Sequence, residues 1–163
     1  MFYPEITQEQ QALIETSPLF FIASAAPGLP SGPDGSGPVN LSPRGAPGLH
    51  VLSPKRVAFL DYKGSGDETR RHGEAGGETT VMVCAFDENA AIVRLYGRAS
   101  AAPLDESPLT ERLLAEVAEE DRKGLRQVIT VDVASTQTSC GYGVPVMDFV
   151  RNRRKEDRGR AYK

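Results

Sequence analysis

Two short stretches of this 163-residue chain carry the residue types that bind anions. In Ser42-Pro43-Arg44-Gly45 a strand is expected to end in a turn that presents a guanidinium, whose rigid fork of donors suits bidentate phosphate recognition. The same tetrapeptide also reads as an ordinary surface turn. In Tyr62-Lys63-Gly64-Ser65-Gly66-Asp67-Glu68-Thr69-Arg70 the glycines let the backbone approach an anion closely. Ser65, Thr69 and the start of a following helix offer donors there. The Gly-Lys-Ser/Thr ending of a nucleoside-triphosphate loop is missing. Without further context the stretch is equally a turn that caps a short helix.

Other chemistry-bearing residues are more scattered. Arg94 and Arg98 share one strand face with Tyr96, which makes that face basic and amphipathic; solvation or salt bridging accounts for them equally well. Asp61 ends an apolar run and doubles as a turn-capping carboxylate. Cys84 lies in the most apolar segment, where a thiol serves as a small buried hydrophobe. Cys140 lies between glycine-flanked turn residues, where a thiol can be exposed. His50 and His72 are too isolated to argue for a triad or a metal site.

The elements that must position these residues are short and extended. With 16 Gly and 12 Pro, the composition favours many turns and few long helices. Thr7 and Gln10 have capping-box spacing, which predicts a helix over 7–16. Strands are expected over 19–25, 39–42, 49–52, 56–62, 79–86, 92–99 and 127–134. The 79–86 run, TTVMVCAF, is apolar on both faces and is the best candidate for an interface strand. A short helix is expected over 67–74 and a longer one over 108–121, where Leu109, Leu113 and Val117 recur every four residues after Ser107-Pro108. Residues 27–38 are expected to be a flexible loop and 148–163 a charged tail around one barrel core over 17–146. So many strands with so few helices between them exclude a doubly wound parallel sheet and point to a small, closed, antiparallel barrel.

Charge and cysteine count narrow the function class. A formal net charge of −3 gives no global field for polyanions, so nucleic acid is not expected as a partner. No segment approaches the ~20 apolar residues that cross a bilayer. Two cysteines make neither a disulfide framework nor a zinc site. A cytoplasmic location is therefore expected.

Five segments together resemble the pyridoxamine 5'-phosphate oxidase-related FMN-binding family, in a bacterial branch of unassigned substrate. They are FFIASA at 20–25, VNLSPRG at 39–45, VAFLDYKGSGDET at 57–69, TVMVCAFDENAAIVRLYGRA at 80–99 and TSCGYGVPVM at 138–147. LDYKGSGDET and TSCGYGVP in one chain are the most specific. The resemblance implies a six-stranded antiparallel Greek-key split β-barrel, a homodimer, and FMN in a groove between subunits. It also implies that Ser65, Thr69 and Arg70 serve the cofactor phosphate and that backbone groups of Leu60, Asp61 and Tyr62 lie beside the isoalloxazine ring. With FMN as the cofactor, the guanidinium of Arg44 is a further phosphate candidate, and Arg94 and Arg98 are candidates for a cation near the pyrimidine carbonyl that stabilises a reduced anionic flavin. The family's Ser-Arg-Lys phosphate grip reads Glu68-Thr69-Arg70 here, and no second basic motif matches a substrate phosphate. The vitamin B6 reaction is therefore not carried over. The expectation is an FMN-dependent oxidoreductase for an unidentified small molecule, with no catalytic side chain assigned. Two alternatives are a flavin-binding or sensor protein without turnover, and a split barrel that uses F420 or haem.

Overall fold

The computed structural model describes residues 1–28, 37–64 and 66–153. Most of the expected 27–38 loop, the end of the charged tail and Ser65 lie outside the described residues. In chain order the elements are β1 (Phe2–Tyr3), α1 (Gln8–Thr16), β2 (Phe20–Ala25), β3 (Val39–Arg44), β4 (His50–Ser53), β5 (Arg56–Tyr62), α2 (Glu68–Glu74), β6 (Thr79–Cys84), β7 (Ala91–Pro103), α3 (Thr110–Leu114) and β8 (Leu125–Cys140). All ladders are antiparallel, and the strand order is β3-β2-β6-β7-β8-β5-β4, with β1 added to β8. The seven strands expected from the patterns are all present as β2–β8, and with β1 the sheet has eight, against the six that the resemblance implies. The difference includes the two-residue β1, too short to leave a period in the sequence.

The first helix forms where its capping box lies. Thr7 Oγ1 accepts from the Gln10 N–H at 3.3 Å, and Gln10 Oε1 accepts from the Thr7 N–H at 3.0 Å. Strand alternation puts Ile22, Val57, Phe59, Val81, Val83, Val93, Leu95, Ile129 and Val131 into one interior core. A smaller cluster on the opposite face of β5 and β8 gathers Ala58, Leu60, Leu113, Val117, Leu125 and Val128. β5 is thus buried on both faces, as its apolar run requires. β6, the expected interface strand, lies mid-sheet between β2 and β7.

Three boundaries differ from expectation. β3 continues through Pro43 to Arg44, which an edge strand tolerates because the missing N–H faces no partner. Arg44 is therefore a strand residue, not part of a turn. The helix expected over 108–121 shrinks to Thr110–Leu114, followed by a 3-10 turn at Glu119–Asp121. Its apolar spacing is real, since Leu113 and Val117 are buried. Glu116, Glu119, Glu120 and Asp121, however, would set negative charge at the helix's negative end. The Arg122 guanidinium instead binds the Leu114 and Val117 carbonyls at 2.8 and 3.0 Å and ends the helix early. Finally, β7 and β8 run well past their expected ends and pair over most of their length, with a register shift at Tyr96/Gly97. A Cβ at Gly97 would collide with the Asp132 carbonyl, so the close strand approach there requires glycine.

Candidate functional site

The sheet curls until its β3 end meets β5, and a polar network fills the meeting point. Asp61 is only 2% exposed and sits on the interior face of β5, in phase with Val57 and Phe59. Arg44 Nη1 donates to Asp61 Oδ1 at 2.7 Å from across the barrel, with its guanidinium over the Phe59 ring at 5.9 Å. Phe59 in turn meets Phe20 of β2 edge to face at 5.2 Å. Arg126 Nε and Gln127 Nε2 donate to the other oxygen, Asp61 Oδ2, at 2.9 and 2.8 Å. Both oxygens of the buried carboxyl group are thereby paired, with two guanidiniums and an amide.

The same network reaches the glycine-rich stretch. Arg126 Nη2 donates to the Gly66 carbonyl at 2.6 Å and lies 3.3 Å from Asp67 Oδ1, which also accepts from Gln127 Nε2 at 3.1 Å. Arg70 Nε donates to Asp67 Oδ2 at 2.7 Å, and Arg70 Nη1 donates to Glu74. Burial raises the Asp67 carboxyl pKa, but hydrogen bonds from Arg70 and Gln127 and the charges of Arg126 and Arg70 outweigh it, so the net shift is downward. Hydrogen bonds to Asp67 and Glu74 hold the Arg70 guanidinium protonated more firmly than usual. Residues 42–45 and 66–70 are therefore linked through Asp61, Arg126 and Asp67.

Two buried polar atoms at this place have no hydrogen-bond partner among the described residues: Arg44 Nε and Thr69 Oγ1. Buried donors are normally satisfied, so both have capacity for a ligand acceptor. Each can donate to an anionic group such as a cofactor phosphate.

The side chains of Leu60, Tyr62, Arg94 and Arg98 point elsewhere. The Leu60 side chain lies on the other face of β5, in the small cluster under α3. Tyr62 packs beside it and donates its hydroxyl to the Asp121 carbonyl at 2.6 Å; burial, and then the Asp121 charge, push its pKa up. Arg94 and Arg98 project outward from β7, opposite in phase to core residues Val93 and Leu95. Arg94 Nη1 donates to Ser139 Oγ at 2.8 Å, and Arg98 is salt-bridged to Glu78 at 2.7 Å.

Arg126 and Gln127 were not among the expected site residues. Gln127 does carry a signal: it is in phase with Ile129, Val131 and Val133, which puts a polar side chain on the core face. Arg126 left none, because it is the extra residue of a bulge where Asp61 pairs Gln127 but Tyr62 pairs Leu125.

The two thiols differ sharply. Burial pushes the Cys84 pKa up, with the Arg94 charge opposing it, whereas Cys140 is exposed at the end of β8. Iodoacetamide at pH 8 is expected to add one label, at Cys140, seen by peptide mass spectrometry. Labelling of Cys84 at a comparable rate would show that its strand opens readily.

No family model matches the chain. A pyridoxamine 5'-phosphate oxidase family protein of Aspergillus flavus, ustO, is 35% identical over 151 residues, which cover 91% of this chain and 57% of that protein. The chain thus spans little more than half of that relative. Among solved structures, an FMN-binding protein from Syntrophomonas wolfei subsp. wolfei superposes with a TM-score of 0.54 at 15% identity, over 77% of this chain and 80% of that one. An F420 reductase superposes with a TM-score of 0.53 at 13% identity, over 78% of this chain and 94% of that one. At these identities the structures establish a shared fold. No helix among the described residues is long and apolar enough to cross a membrane.

Proposed function

Because the chain belongs to the pyridoxamine 5'-phosphate oxidase-related family of split-barrel proteins, we propose that it binds FMN between two copies of itself and acts as a flavin-dependent oxidoreductase on a small molecule. The observation that carries this reading is the barrel seam, where Arg44 and the 66–70 stretch are joined through Asp61 and Arg126, and where each of the two stretches holds a buried, unpartnered atom, Arg44 Nε and Thr69 Oγ1. When bound, FMN supplies the hydride and electron chemistry that side chains lack.

The chain's own part is to bind and orient. Arg44 gives one donor to Asp61 and keeps others for a phosphate. Thr69 adds a hydroxyl, and Arg70 adds positive charge on the neighbouring helix position; Ser65 is retained from the motif. Asp61 and Arg126 fix the seam rather than touch the cofactor, while the backbone of 60–62 borders the ring. No proton-transfer residue is assigned.

A second copy is supported by two features. Arg94 and Arg98 project outward from β7, on the surface where a neighbouring subunit would meet them. Val39 and Leu41 of edge strand β3, with Tyr142, Val146, Met147 and Phe149 after β8, are large, apolar and exposed, as expected of an interface. The free cysteines fit a reducing, cytoplasmic setting.

Purified protein is expected to have the mass of a dimer in solution, to bind added FMN, and to cycle it with NADH or NADPH and an acceptor. A colourless protein that does not bind FMN would overturn the reading. Bound FMN that never cycles would leave a flavin-binding protein without turnover. Because an F420 reductase shares the fold, the absorption spectrum of the natively bound cofactor separates FMN from F420 and from haem.

A further inference from the structure

The seam network leaves unused a buried titratable side chain of α2, three residues after Thr69. His72 is fully buried in α2. Its Nδ1 lies 2.9 Å from Ser24 Oγ of β2, and its Nε2 lies 3.1 Å from the Gly37 carbonyl, just ahead of β3. A carbonyl only accepts, so Nε2 carries a proton and donates to it, while Nδ1 and the Ser24 hydroxyl share the other hydrogen bond. Ser24 and His72 are 2% and 0% exposed, so this serine–histidine pair is sealed from any substrate and cannot act as nucleophile and base.

Instead, the ring fastens three segments to one another. Ser24 pairs with Asn40 of β3 and with Thr79 of β6, so the anchor lies within the sheet. The helix backbone lies directly on its neighbours: a Cβ on Gly73 would collide with the Ala99 carbonyl, and one on Gly77 with the Ala25 carbonyl. The Gly77 N–H also donates to the His72 carbonyl at 2.7 Å. Thr69 stands three residues before His72, and residues three apart share a helix face. Both are buried, at 4% and 0% exposure. The ring therefore sets the rotation of α2 that places Thr69 inward and Arg70 on the adjoining face.

We propose that His72 is a positioning residue for phosphate binding: by tying α2 to Ser24 and Gly37, it holds Thr69 and Arg70 where a cofactor phosphate meets them. This rests on the FMN reading above. It differs from a general packing role because its loss is felt by the phosphate and not by the ring system.

The test is to titrate FMN, and riboflavin, which lacks the phosphate, into the wild type and into His72→Ala, His72→Gln and Ser24→Ala, with far-UV circular dichroism as the folding control. His72→Ala is expected to weaken FMN binding about tenfold, and Ser24→Ala less. Riboflavin affinity stays within about twofold in each, because one neutral hydrogen bond remote from the ring shifts it little. His72→Gln, whose amide can still donate to the Gly37 carbonyl, is expected to recover part of the loss. Unchanged FMN affinity, or equal losses for FMN and riboflavin, overturns the proposal. If His72→Ala does not fold, Ser24→Ala decides by the same comparison. A wild type that binds FMN no better than riboflavin removes the phosphate site itself, and this inference with it.

Discussion

Asp61→Ala is expected to cost about 3–5 kcal/mol of folding stability, the range for removing one partner of a buried ion pair. The carboxylate is 2% exposed and accepts from Arg44, Arg126 and Gln127 at 2.7–2.9 Å. Without it, Arg44 loses the carboxylate it is paired with, and Arg126 keeps only Asp67, 3.3 Å away, as a counter-charge among the described residues. Arg44 and Arg126 are 27% and 19% exposed, so water relieves part of the penalty and the lower end of the range applies. Asp61→Asn keeps the shape and one acceptor oxygen and is expected to lose less. Urea unfolding of both variants provides the measurement, with an unchanged m-value indicating that stability alone moved. A loss below about 1 kcal/mol would mean that water substitutes for the carboxylate and that the seam is wetter than its burial implies.

The second large effect concerns the cofactor. Arg44→Ala is expected to weaken FMN binding by about 1.5–3 kcal/mol, the value of a charge-assisted contact, which corresponds to roughly a tenfold to hundredfold rise in Kd. Its cost to folding is smaller than that of Asp61→Ala, because Asp61 keeps Arg126 and Gln127. Arg70→Ala should weaken FMN less, since Arg70 already spends donors on Asp67 and Glu74. Fluorescence titration at fixed ionic strength measures both, because screening changes phosphate contacts. Unchanged FMN affinity in both variants would remove the phosphate site from this seam.

Much of the architecture is legible in the chain because it is written in local patterns. The Thr7–Gln10 capping box forms as its spacing dictates, since both partners lie within one helical turn. Alternation in 93–99 and 127–133 marks the core face, because a strand has only two faces to choose between. The 108–121 helix misleads for the complementary reason: its apolar spacing is local, but its end depends on Arg122 reaching back to two carbonyls.

By itself, then, the sequence determined a β-rich barrel, the strand faces and the anion-binding residue types near 42–45 and 62–70, since side-chain period and turn chemistry act over a few residues. Only the tertiary structure decided that Arg44 crosses to Asp61, that a bulge turns Arg126 into the same network, and that His72 pins α2 to Ser24. Those contacts join residues 17, 65 and 48 positions apart. Such pairings are fixed by how the sheet curls and by which strands become neighbours, and no short-range pattern encodes that.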